Sequence, residues 1–182
     1  MVTISRDSPC LSITAVAKDR LPVFRTDLIK ALFCRALHEA RASAGFLILA
    51  YVVMPDHLHI ITNGARKPSE TLRFIKGISA RRIIRHLKDG GFQGSLEKLR
   101  GAQKADRHQY SLWQRESNVV LLTVESTFMQ RVHYIHQNPV RAGLVERAAD
   151  YRWSSVRYWS RCMVEDEPLQ VDYGKIVWRT PR

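Results

Sequence analysis

The apolar positions of this 182-residue chain change period several times, and each change marks an element. Leu11 to Val16 is a run of apolar and small residues of strand length. R-L-P-V-F turns the chain, and Thr26 or Asp27 is placed to cap a helix reaching about Ser43. Leu28, Leu32, Ala36 and Leu37 supply the apolar stripe of that helix. After Gly45, G-F-L-I-L-A-Y-V-V-M is rich enough in branched and aromatic residues to be a central strand. Pro55 and Asp56 make a turn, and H-L-H-I-I-T alternates into a neighbouring strand. Ser69 or Thr71 then caps a second helix, with Leu72, Ile75, Ile78 or Ser79, Ile83 and Leu87 inward and D-G-G at its end. Residues 89 to 109 read as a long loop, and a fourth strand falls around Leu112 to Leu122. This order predicts an α+β fold, a ferredoxin-like split βαβ sandwich with an antiparallel sheet.

The last third adds T-V-E-S-T-F-M-Q-R-V-H-Y-I-H-Q-N-P, a helix over about 124–138. Phe128, Val132 and Ile135 share one of its faces, Tyr134 and Asn138 another, and Pro139 ends it. Beyond it, Tyr151, Trp153, Tyr158 and Trp159 alternate with Arg152, Arg157 and Arg161. These aromatics either stack on bases or dock the segment onto the core. The pattern gives one domain over 1–162, with 163–182 as a C-terminal tail.

Charge narrows the partner. The formal net charge is +12, the mark of a polyanion-binding domain. Between Arg66 and Arg107, twelve Lys or Arg face four acidic residues, a net +8. Phosphate contacts are therefore expected from Arg73, Lys76, Arg81, Arg82 and Arg85, and further along from Arg141, Arg152 and Arg157. No run approaches the roughly 20 apolar residues that cross a bilayer, and no signal peptide is read at the start. Three cysteines without a C-x-x-C fit a reducing cytoplasm. The expected setting is cytoplasmic, with no membrane partner and no small-molecule cofactor.

The candidate chemistry starts at M-P-D-H-L-H-I-I-T. His57 and His59, at i and i+2 on a strand, point to one face. They are either two packed core histidines or two ligands of one ion, and two imidazoles need a third ligand. An amide oxygen at Asn138 would complete a mixed nitrogen and oxygen set for Mg²⁺ or Mn²⁺. Tyr134, one turn earlier, would stand beside the same phosphate. Spacing alone does not bring the helix to the strand.

M-P-D-H-L-H-I resembles the HUH motif of the single-tyrosine, IS200-like transposases. H-Y-I-H-Q-N-P-V-R-A-G-L-V closely resembles the signature of their REP-associated branch, and L-W-Q-R and Y-R-W-S-S are similar to its flanking segments. The likeness covers roughly residues 10 to 160. It implies a ferredoxin-like domain acting on single-stranded DNA hairpins, with Tyr134 the nucleophile that forms a 5′-phosphotyrosine and frees a 3′-hydroxyl. It also implies that His57, His59 and Asn138 hold the Mg²⁺ or Mn²⁺ ion, and that the protein works as a monomer. One departure stands out. The family commonly follows W-Q-R with a glycine, an aromatic and an aspartate, whereas this chain has E-S-N-V-V-L-L. The alternative is a non-catalytic module that binds DNA or RNA hairpins with the basic surface alone.

Overall fold

The computed structural model describes residues 1–101 and 109–178. Lys104, Asp106 and Arg107 of the basic segment lie outside them, as do residues 179–182 of the expected tail. After a two-residue strand, β1 (Val2–Thr3), comes the first long strand, β2 (Cys10–Ala17). Helix α1 (Asp27–Ala44) begins where Thr26 Oγ1 accepts from the Ile29 N–H and ends at Gly45, whose φ of 72° suits a residue without Cβ. Its buried face carries Ile29, Phe33, Cys34, Ala36, Leu37 and Ala40. The expected stripe is thus rotated: Leu28 is 59% exposed and Leu32 half-buried. Phe33 sets the phase, because its ring packs on Phe24 at 4.7 Å and Trp113 at 5.7 Å.

Strand β3 (Ile48–Val53) is buried throughout, and β4 (His57–Asn63) returns beside it. Helix α2 (Pro68–Asp89) starts on Lys67 and Pro68 rather than on a Ser69 or Thr71 cap. Proline suits a first turn that needs no N–H, and Thr71 is fully buried instead. Within the expected loop lies a short helix, α3 (Gln93–Lys98). Only Leu96 and Leu99 bury there, one turn apart, too little periodicity to announce a helix. Strand β5 (Trp113–Leu122) completes an antiparallel sheet of order β3-β4-β2-β5.

Register decides which side chains meet. Val52, His59, Thr14 and Asn118 form one row across the four strands. Leu58 and Ala15 belong to the next row, on the opposite face. Trp113, paired with Ala17, lies on that opposite face. Its indole packs on Phe24 and Phe33 and donates to Ser79 Oγ (3.0 Å), so α1 and α2 cover this side.

The histidine side receives α4 (Glu125–His136), whose Phe128, Val132, Ile135 and His136 are buried. The helix pauses at Gln137 and resumes as α5 (Asn138–Arg141), so Pro139 starts a turn rather than ending the helical path. Residues 151–159, including α6 (Val156–Trp159), line the outer edge of β3. Val53 donates to the Trp153 carbonyl and Ser155 to the Tyr51 carbonyl. Tyr151 Oη donates to the Val53 carbonyl, Trp153 Nε1 to Asp27 and Trp159 Nε1 to the Leu49 carbonyl. These aromatics dock the segment, and an otherwise open strand edge is covered. Past residue 162 the chain still supplies core: Leu169, Val171 and Ile176 are buried, and β6 (Ile176–Val177) pairs in parallel with β1. Among the described residues, no helix is long and apolar enough to cross a membrane.

Candidate active site

His57 and His59 share a face of β4, with ring centroids 4.8 Å apart and planes at 85°. Each ring is held through Nδ1. Asp56 Oδ1 lies 2.5 Å from His57 Nδ1, and since a carboxylate only accepts, that nitrogen carries the proton. Thr14 Oγ1, across the sheet, sits 2.8 Å from His59 Nδ1 and can accept its proton in the same way. Nε2 is then the nitrogen that each ring presents outward, the arrangement that outer hydrogen bonds impose on metal-binding imidazoles. Burial, together with the charges of His57, Arg131 and Arg141, pushes the pKa of His59 down to about 3 against the opposing pull of Asp56. The ring is therefore neutral at physiological pH. Asp56 stays ionised: burial raises its pKa, but hydrogen bonds from His57 and Arg20 outweigh this and lower it.

Helix α4 brings Tyr134 to this pair. The phenol ring meets His59 edge-on at 5.9 Å and 80°, and Tyr134 is 41% exposed. Two guanidiniums cover the same ring, Arg131 at 5.3 Å and Arg141 at 4.2 Å. Arg141 also donates to the Tyr134 carbonyl (3.0 Å). Asn138 Nδ2 donates to the carbonyls of Tyr134 (3.0 Å) and Ile135 (3.1 Å). Carbonyl partners demand the NH₂ group, so Oδ1 is the free end of this amide. Imidazole nitrogens and an amide oxygen are donor types that suit Mg²⁺ or Mn²⁺ completed by water and phosphate oxygens. Among the described residues, no group of three or more His, Cys, Asp or Glu is arranged to hold a metal.

The other expected residues divide into two sets. Arg73, Arg81, Arg82 and Arg85 are exposed on α2. With Lys76, Lys88 and Arg115, three of them (Arg73, Arg81 and Arg85) line a cavity of about 1150 Å³ between α2 and the approach to β5. Arg82 pairs with Glu39 at 2.8 Å and Arg85 with Asp89 at 3.6 Å. Lys76, in contrast, donates to the carbonyls of Gln114 (2.8 Å) and Arg115 (3.1 Å), so it braces the start of β5. Arg152 pairs with Asp166 at 2.6 Å. Arg157 makes a two-pronged bond to Glu167 (2.7 and 3.0 Å) with only 14% of its side chain exposed. Lys76 and Arg157 are thus engaged with partners in the same chain, where phosphate contact was expected.

Sequence reading missed Thr14, Asp56 and Arg131. Asp56 carried a signal, as the neighbour of His57, and Arg131 as the residue one helical turn before Tyr134. Thr14 carried none, because its place depends on the pairing of β2 with β4. His136 is buried, with Nε2 2.8 Å from Ser155 Oγ, whereas His133 is exposed.

The family model described as "Transposase IS200 like" matches residues 10–138. A protein of Haemophilus influenzae described as a REP-associated tyrosine transposase is 24% identical over 145 residues, covering 78% of this chain and 76% of its own length. Among solved structures, a REP-associated tyrosine transposase bound to a REP hairpin superposes with a TM-score of 0.59. It is 21% identical, with 91% of this chain and 87% of that one covered. A protein of Deinococcus radiodurans described as a transposase gives a TM-score of 0.47 at 22% identity, covering 71% and 90% of the two chains, and carries no weight here. The matched span reaches from the first long strand through both histidines and the tyrosine helix, and the chain belongs to the IS200-like family of single-tyrosine transposases.

Proposed function

We propose that the protein cleaves and rejoins single-stranded hairpin DNA through a covalent 5′-phosphotyrosine, with a divalent ion held by His57, His59 and Asn138. The observation that carries this reading is Tyr134 standing edge-on to His59, within a site whose second imidazole lies 4.8 Å from the first. The strand order, with α1 and α2 on one face and α4 on the other, supports the finer description of a ferredoxin-like split βαβ fold. The relative solved with a REP hairpin supports the substrate class. The free buried cysteines support a cytoplasmic setting. The exposed Arg73, Arg81, Arg82 and Arg85 of α2, and Arg141 beside the tyrosine, would contact the phosphates of a hairpin on a monomer.

Tyr134 Oη attacks the scissile phosphorus and the phenol proton is released. The bond from phosphorus to the 3′-oxygen breaks, and that oxygen leaves as a hydroxyl. The 5′-phosphate remains on Tyr134, and attack by another 3′-hydroxyl reverses the step without ATP. A bound Mg²⁺ or Mn²⁺ would supply charge neutralisation at the phosphate. Thr14 and Asp56 hold the imidazoles in the orientation that leaves Nε2 free, and Arg141 holds the tyrosine ring.

Tyr134→Phe tests the reading. With Mn²⁺ and a hairpin oligonucleotide that the protein retards on a native gel, a denaturing gel should show a covalent adduct for the wild type and none for the variant. Hairpin binding should persist in both. An adduct in the variant overturns the role of Tyr134. Salt-sensitive binding without any adduct in either protein would favour the non-catalytic module.

A further inference from the structure

We propose that Arg131 and Arg141 make ion loading at the histidine pair depend on DNA, so that the ion binds well only together with a phosphate. The inference rests on the metal-site reading above and concerns how that site fills.

The argument is one of charge. None of the donors assigned to the ion, His57, His59 and the Asn138 amide, carries a negative charge. Asp56 is the carboxylate beside them, and both of its oxygens are occupied, Oδ1 by His57 and Oδ2 by Arg20 at 3.0 Å. Among the described residues no third His, Cys, Asp or Glu joins the pair. Against this donor set stand two cations over the tyrosine that touches His59, at 5.3 and 4.2 Å from its ring. Arg141 donates to the Tyr134 carbonyl, which holds it beside the ring. A dication entering alone meets these two positive charges, offset only at one remove by the Asp56 carboxylate behind His57, and finds no anionic group among its own ligands. A phosphodiester lying across the same place reverses the balance, since it attracts both guanidiniums and donates oxygen to the ion. Linkage requires the converse: bound ion must tighten DNA binding by the same factor.

The test measures Mn²⁺ binding directly, from the paramagnetic resonance signal of free Mn²⁺. It uses full-length Tyr134→Phe protein, which cannot trap DNA, with and without a saturating hairpin oligonucleotide, corrected for Mn²⁺ held by DNA alone. Affinity should rise with DNA by roughly tenfold or more, within the range of about 5- to 150-fold usual for coupled sites. Adding Arg131→Gln should tighten Mn²⁺ binding to the DNA-free protein several-fold and shrink the coupling, while Arg131→Lys should preserve both. Arg131 is the decisive position because Arg141 also holds the backbone of α4. Equal Mn²⁺ affinity with and without DNA overturns the inference and leaves the metal site standing, as does an Arg131→Gln variant that changes neither value. No specific Mn²⁺ binding in either state removes the metal site, and the inference with it.

Discussion

Ser155 offers the most direct check on how the tyrosine helix is held. Its hydroxyl accepts from the Tyr51 N–H (2.8 Å), lies 2.8 Å from His136 Nε2 and donates to the Tyr51 carbonyl (3.2 Å). A hydroxyl donates once and accepts twice, so these three partners saturate it, with His136 donating from Nε2. Ser155→Ala removes one oxygen and little volume, yet strands a backbone N–H and an imidazole N–H in the interior. Each orphaned group costs about 1–3 kcal/mol, so the variant should lose roughly 2–6 kcal/mol. For a chain of this size that is a fall in Tm of about 4–24 °C. Ser154→Ala is the internal control: Ser154 Oγ accepts only from the Val156 N–H (3.2 Å), and about 1 kcal/mol is expected. Urea denaturation of the three proteins gives the differences, and adduct yield at a temperature where all are folded gives the effect on α4. Hairpin binding should fall less than adduct formation, since the basic residues of α2 are remote from Ser155. A Ser155→Ala protein within about 0.5 kcal/mol of wild type would refute the reasoning, because it would mean that neither group is confined as the geometry says.

Other consequences are as open to measurement. Thr14→Val keeps the shape but frees His59 Nδ1, and should raise the Mn²⁺ concentration for half-maximal adduct about 10–100-fold. An unchanged titration would deny Thr14 its orienting role. Burial pushes Cys10 up to about 11 and, against the pull of Lys30, Cys34 up to about 12, whereas Cys162 is exposed. A maleimide at pH 8 should therefore label one thiol in the native protein and three after denaturation. The same raised values mean that the folded state holds protons the unfolded chain releases. That contribution to stability is complete below the ordinary thiol value of about 9 and fades as pH climbs toward 11 and 12. Rapid native labelling of Cys34 would contradict its burial. Truncation after Cys162 removes buried Leu169, Val171 and Ile176 and should destabilise by about 4 kcal/mol or more, read by urea denaturation.

What the sequence revealed follows from the range of the forces involved. Strand and helix periods are local, so β2, α1, β3, β4, α2 and β5 were readable within a few residues of their ends. Phase was less so: the face of α1 depends on Phe33 finding Phe24 and Trp113, a contact made across the fold. His57, His59 and Tyr134 stood out because the motifs that carry them resemble those of a known family; spacing alone left the histidines as either core residues or ligands. Thr14 was not, since a cross-strand row exists only after β2 has paired with β4. The fate of the C-terminal arginines was equally hidden. Arg152 and Arg157 look like a phosphate-binding comb until Asp166 and Glu167 fold back on them.

The aromatic segment around Ser155 shows why a stretch remote from the chemistry can still govern it. Val52 of β3 is paired with His59 on one edge and with Ser154 on the other. One strand therefore carries the histidine row and the docked segment together. Ser155, one residue on, reaches His136 on α4, two residues past Tyr134. The tyrosine helix and the histidine strand are thus referenced to the same piece of backbone, Tyr51 and Val52, from opposite ends of the chain. A shift of residues 153–155 along β3 would carry α4 with it and change the 5.9 Å approach of Tyr134 to His59. Covalent chemistry tolerates little misplacement, with about 1 Å worth some hundredfold in rate. Selection for cleavage would then act on Y-R-W-S-S as strongly as on the residues that touch DNA, and substitutions there should lower adduct formation before they abolish the fold.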